Sequence, residues 1–237
     1  MRVLHHVMYG TSIIPFTIKY TDRKTLAIAV YPDRSVEITS PNEAPLEKIL
    51  ERVERRSSWI LKKIRKYSKH DVYLRKTEWV SGESIYYLGR QYRLKVAPGK
   101  VDVKLTGKFL WVSVPDKKNS SQVKALVEAW YNAQAKKKYD AILQKNSAVL
   151  RRENIKLNSL MVRKLEKRWG SCSKKGNIIL NTDLVKTPVD CINYVIVHEL
   201  CHLKHMNHSK KFYQTLEKHL PGWQKTKSKL ERYAGLI

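Results

Sequence analysis

Residues 198–208 read HELCHLKHMNH, four histidines and one glutamate in a single short stretch. His198 and His202 stand at i and i+4. On a helix they share one face about one turn apart, so two imidazoles can converge on one metal ion. Glu199 projects beside them and can reach a water on that ion. A catalytic zinc site takes three protein ligands and keeps one position open, and His205 and His208 compete for the third place. His205 lies on the same face one more turn along, roughly 5 Å beyond His202. Three imidazoles in a row on a straight helix suit a tetrahedral centre poorly. His208 follows Met206 and Asn207, and Asn tolerates the left-handed conformation that ends helices. There the chain can bend and offer a ligand from another direction. Three neutral imidazoles leave Zn²⁺ its full charge and lower the pKa of a bound water to about 7. Glu199 is then placed to act as general base. Imidazole also suits Mn, Co and Ni.

This chemistry needs a helix, and the sequence supplies one. In TPVDCINYVIVHELCH, Thr187 is the expected N-cap, Pro188 the first helical residue and Asp190 the capping-box partner. Ile192–Val197 is almost wholly apolar, which predicts a buried helix. A further helix is expected from Ser209 and another after PGW at 221–223. Upstream, LMVRKLEKRWGSCSKKGNIILNTDLV is strand-rich, with KKGN as the turn of a hairpin. SSQVKALVEAWYNAQAKKKYDAILQKN is helical, with Ser120 or Ser121 as cap and Val123, Leu126, Val127, Trp130 and Tyr131 as its buried stripe.

The first forty or so residues alternate. FTIKYTDRKTLAIAVYPDRSVEITSP predicts three strands, with turns at Thr21–Lys24 and Pro32–Arg34. A helix with many cations follows over 45–67, and strands return at SIYYLGRQYRLKVAP and FLWVSVP. The change from strands to helices near Asp116 divides the chain into a β-rich region with a basic helix, 1–115, and a helix-rich region, 116–237. No internal repeat is visible.

Lys and Arg total 47 against 21 acids, a formal charge of +26. Such an excess concentrates polyanions, so nucleic acid, nucleotides or an acidic protein are candidate partners. Apolar residues make up 42%, ordinary for a globular chain. No run is long enough to span a bilayer, so no membrane association is expected. MRVLHHVMYG has no long apolar run, so no signal peptide is expected and the cytoplasm is the expected location. Three cysteines (Cys172, Cys191 and Cys201) argue against a disulfide framework and read as small apolar residues.

RWGSCSKKGNIILN, then VIVHELCHLKHMNHSKKFY and LPGW, resemble the YgjP-like metal-dependent hydrolases, relatives of the WLM and SprT-type zinc peptidases. The resemblance extends to RKTLAIAV and YYLGRQYRL. It implies an α+β fold with a zincin-like C-terminal metallopeptidase domain. It also implies one Zn²⁺ ion on His198, His202 and His208, with Glu199 as the catalytic glutamate. Metzincins share the ligand spacing but place Gly where this chain has His205, which reads as a surface or supporting residue. By the same resemblance RWGSCS lines the substrate cleft, with Arg168 and Trp169 as substrate-binding residues. The local alternative is that Trp169 fills core and Gly170 marks a bulge. Phe212 and Trp223 read as core.

Zinc-dependent peptide hydrolysis is the leading expectation. Some YgjP-like proteins are described as pyrophosphatases acting on uridine triphosphate, and WLM and SprT relatives cleave DNA-attached proteins. Both remain alternatives.

Overall fold

The computed structural model describes residues 4–31, 33–68, 77–166 and 168–236. Pro32, read above as part of a turn, and the side chain of Lys66 lie outside the described residues. The protein is α+β; among the described residues there are three small sheets and six α-helices. It forms two compact units, Met1–Arg75 with Arg232–Leu236, and Lys76–Glu231 with Ile237. The compositional change near residue 116 therefore falls inside the second unit.

The first unit contains β1 (Leu4–Tyr9), β2 (Ser12–Thr21), β3 (Ala27–Val30), β4 (Val36–Pro41) and α1 (Leu46–Ser68). The sheet order is β1-β2-β4-β3. β2 and β4 are parallel, and both outer pairs are antiparallel. Val7, Ile14, Phe16, Val36 and Ile38 bury one sheet face with Ile49, Val53 and Ile60 of α1. The alternation of strand residues and the three-to-four spacing along the helix produce this match of faces.

The second unit opens with β5 (Ser84–Tyr87), β6 (Arg90–Pro98), β7 (Asp102–Thr106), β8 (Phe109–Val114) and α2 (Ser120–Lys145). Its sheet order is β5-β6-β8-β7, again with a parallel central pair and antiparallel outer pairs. This is the same hairpin–hairpin–helix unit repeated, which the sequence conceals. Val7 pairs with Ile14 in the first copy, and Ile85 with Tyr92 in the second. Val36 and Ile38 correspond to Leu110 and Val112, and Ile49 and Val53 to Val123 and Val127, all buried. α1 begins at Leu46 after Pro41, and α2 at Ser120 after Pro115. The repeat keeps burial and spacing but not residue identity.

Asn119, not Ser120 or Ser121, caps α2, its side chain accepting from Gln122 N at 3.0 Å. The two central residues of the β5–β6 turn, Leu88 and Gly89, both have positive φ, 49° and 78°. That backbone matches the strand twist of a two-residue hairpin. The turn is docked: Leu88 N and Gly89 N donate to the Val185 and Lys186 carbonyls at 2.9 and 3.0 Å. A Cβ at Gly89 would stand 2.6 Å from Pro188 Cγ, so only glycine fits there.

After α3 (Ser147–Arg152), β9 (Ser159–Arg163), β10 (Gly170–Cys172) and β11 (Asn177–Asn181) form a sheet of order β10-β11-β9. The expected hairpin is β10–β11, turning through Ser173–Gly176; β9 adds to its far side in parallel. A 3-10 turn, Thr182–Lys186, leads into α4 (Val189–Lys204), followed by α5 (Lys210–His219) and α6 (Trp223–Glu231). Thr187 does not cap α4. Its hydroxyl donates back to the Leu184 carbonyl at 2.8 Å, closing the 3-10 turn, and Pro188 occupies the cap position. No described helix is long and apolar enough to cross a membrane.

Candidate metal centre

α4 is buried through most of its length. Ile192, Val195, Ile196, Val197 and Leu200 join the core of the second unit. Its last turns therefore carry His198 and His202 at a fixed place. The helix stops at His205, whose extended conformation (φ −130°, ψ 95°) breaks the helical path. The break comes before Asn207, the residue the sequence pointed to. The chain then turns back, and Ser209 caps α5, its hydroxyl accepting from Phe212 N.

That turn returns His208 to α4. His208 Nε2 lies 3.1 Å from His198 Nε2 and 3.1 Å from His202 Nε2. The ligand nitrogens of the three all lie within 4.8 Å of one another. His205 turns away, its Nε2 3.1 Å from Thr215 Oγ1 on α5.

Three ring nitrogens facing one another can share one positive centre. Imidazoles bound to one tetrahedral zinc at about 2.0–2.1 Å would place their nitrogens about 3.3 Å apart, close to the spacing here. The protonation states fit as well. Burial, with His202 and His208 adding smaller effects, pushes His198 down to about 3, so its ring is neutral. Burial also lowers His202. The His202 Nδ1 lies 3.1 Å from the His205 carbonyl. Donation there leaves the Nε2 lone pair facing His208, and a second hydrogen bond of this kind is the usual support of a metal-binding His. His198 Nδ1 is buried without a hydrogen-bond partner among the described residues. The donor set thus fits one divalent ion of the zinc type.

Phe212, fully buried, lies under all three imidazoles, with ring centroids 5.0, 4.6 and 4.8 Å from those of His198, His202 and His208. Tyr194, Tyr213 and Trp223 extend this aromatic wall. Trp223 stacks on Tyr213 at 5.3 Å and on Tyr194 at 6.2 Å. The sequence placed Phe212 and Trp223 in the core without showing that they back the histidines. The available signal was the Ser209 cap, which puts Phe212 one turn after His208.

Glu199 is buried. Loss of hydration pushes its carboxyl up to about 7, against a smaller opposing pull from Arg168. Gly170 lies against it: a Cβ there would stand 2.9 Å from Glu199 Oε1 and 3.0 Å from Cγ. Gly170 pairs in ordinary register with Leu180, so it marks no bulge. β10 lies at one edge of its sheet, and it runs beside α4.

Arg168 is exposed where the chain enters β10, and Trp169 is half-buried against the core. The buried Asn181 holds this entry, donating to the carbonyls of Leu165 and Arg168 at 2.7 and 3.0 Å. No local pattern around Asn181 signals that role. Cys191 and Cys201 are buried free thiols, each pushed by burial up to about 12. Cys172 is less buried than expected; partial desolvation and Glu199 nearby raise it to about 11.

The sequence profile described as YgjP-like, metallopeptidase domain, matches residues 24–233. No curated protein matches the chain. Among solved structures, the metallopeptidase zymogen abylysin of Pyrococcus abyssi is similar over 39% of this chain and 90% of its own, at 23% identity and a TM-score of 0.34.

Proposed function

We propose that this chain, which belongs to the YgjP-like family of metallopeptidase domains, is a peptidase using one zinc ion on His198, His202 and His208, with Glu199 as general base. Metal-dependent hydrolysis is the activity of the family. The convergence of the three Nε2 atoms beside a buried glutamate carries the finer assignment. A divalent ion there would acidify a bound water and polarise the carbonyl under attack.

The chain's own residues supply the rest. Glu199, poised near neutrality, takes the proton of the attacking water and returns it to the leaving amine. Phe212 keeps water from the back of the imidazoles and holds their rings in place. The free edge of β10 can pair with an extended peptide, which places the scissile bond alongside α4. A zincin-like arrangement of residues 116–237 belongs to the same proposal, supported by β10 lying next to α4. Trp169 and Arg168, at the entry to β10, are the candidate substrate contacts.

A phosphoanhydride substrate such as a nucleoside triphosphate is the second reading. Two cations favour it: Arg168 acts on Glu199 and Lys227 on His198. The test is a parallel assay of zinc-loaded protein on casein and on nucleoside triphosphates, with metal content measured on the same sample. Casein cleavage lost in Glu199→Gln supports the peptidase reading. Pyrophosphate release without proteolysis replaces it with the second.

A further inference from the structure

The two copies of the repeated unit differ at one place in a way that points to a ligand. In the second copy Leu126 and Trp130 lie on α2, half-buried and packed against the core. By the match of Ile49 with Val123 and Val53 with Val127, the corresponding residues of α1 are Arg52 and Arg56. These two arginines do not fill the space. With Leu26, Ile28 and Trp59 they line a cavity of about 330 Å³, within the range of small-ligand sites, roughly 300–1,000 Å³.

The lining has one consistent chemistry. Leu26 and Ile28 give an apolar floor. Trp59 is 40% exposed, a large area for an indole. Its ring draws a cation, Lys63 Nζ, to 5.9 Å from the centroid. Arg52 and Arg56 have no carboxylate partner among the described residues, whereas their neighbour Arg55 is paired with Glu51. Lys48, Arg52, Arg56, Trp59 and Lys63 follow one another at steps of four, four, three and four, so they form one stripe along the helix. A flat aromatic platform flanked by guanidinium groups suits a base that stacks and phosphates that pair. The formal charge of +26 brings such a polyanion to the surface.

We propose that the first unit binds single-stranded nucleic acid, one base entering the cavity to stack on Trp59 while Arg52 and Arg56 hold the adjacent phosphates. Bases in a duplex are already stacked on each other, so single strands bind better than duplexes of the same sequence. The site is independent of the metal centre, and its test does not use hydrolysis.

The experiment is fluorescence anisotropy of the full chain with a labelled single-stranded oligothymidylate, the matching duplex, and vesicles containing phosphatidylglycerol. Trp59→Leu should weaken single-strand binding about 5- to 100-fold, the usual worth of one stacked base, and Trp59→Phe should restore most of it. The double variant Arg52→Leu/Arg56→Trp gives these two positions the residues found at the matching places in the second unit. It should fold, bind more weakly, and show a salt dependence lower by about 1.4 in log–log slope. Lys117→Gln/Lys118→Gln removes equal charge from an exposed loop and should change little. The proposal is overturned if Trp59→Leu binds like wild type, if the two charge-reducing pairs weaken binding equally, if the duplex binds as well as the single strand, or if vesicles bind and oligonucleotides do not.

Discussion

Gly170 and Glu199 share a gap with no room for a methyl group. The glycine sits on an edge strand, the glutamate on a buried helix, and a Cβ on the first would stand 2.9 Å from Oε1 of the second. The carboxyl is thus fenced on the side of β10. Gly170→Ala should displace it while leaving the three histidines untouched. Misplacement of a catalytic group by about 1 Å costs on the order of 10²-fold. We expect hydrolysis at least about tenfold slower, with metal content unchanged by elemental analysis. An alanine variant at full rate removes the steric argument.

His208→Ala should sharply lower metal occupancy, while His205→Ala should retain the metal. His208 Nε2 faces both other imidazoles, whereas His205 Nε2 is engaged with Thr215. Elemental analysis of protein purified without a metal-affinity column decides. Equal retention in both variants rules out His208 as a ligand.

Glu199→Gln should keep the metal and the fold, and slow hydrolysis by about 10²–10⁴-fold, the usual contribution of a positioned general base. A variant with bound metal and the wild-type rate would place the chemistry elsewhere.

The same substitution should also change the pH dependence of stability in metal-free protein. Glu199 is raised to about 7, above its unfolded value near 4.5. An acid raised in the folded state favours the fold while protonated. Its contribution is fully present below the unfolded value and is lost as pH rises through about 7. Glu199→Gln cannot ionise. In chelator, it should be more stable than wild type at pH 8, by ~1–3 kcal/mol, and close to wild type at pH 4. Parallel melting curves for the two proteins across this range contradict it.

Glu153 is a buried carboxylate joined to Lys204 at 2.7 Å, Lys218 at 2.7 Å and His219 at 2.6 Å. It ties the end of α4 to α5, the two helices that flank His208. Its hydrogen bonds, Lys204 first, then Lys218 and His219, hold the carboxyl far below the usual range. The stability it contributes is therefore present above the unfolded carboxylate value and lost as pH falls through its own low one. Glu153→Gln should cost about 1–3 kcal/mol at pH 7, less than a fully buried pair because both lysines are partly exposed. Denaturant midpoints that match wild type at pH 7 refute this.

Features that depend on near neighbours are legible in the amino-acid order. The i, i+4 spacing of His198 and His202, the apolar run before them, the helix start at Ser209 and the β10–β11 hairpin all act over a few residues. Helical and strand periods display such features directly. Thr187 and Ser120 or Ser121 do not cap their helices for the same local reason: several adjacent residues can cap a helix, and the one that wins is set by the surrounding packing. Long-range packing set the rest. It returned His208 to α4 through a break at His205, set Phe212 under the imidazoles, and brought Gly170 from a separate sheet to Glu199. It also revealed the repeat. Parallel pairing of β2 with β4 and of β6 with β8 joins strands that are not neighbours in sequence, and no local pattern encodes it. Equivalent positions need only equal burial, so Val36 and Leu110 serve alike, and Arg52 can face a cavity where Leu126 packs against core. Packing constrains volume and polarity at a site, not the residue's name, so the resemblance appears only once the chain is folded.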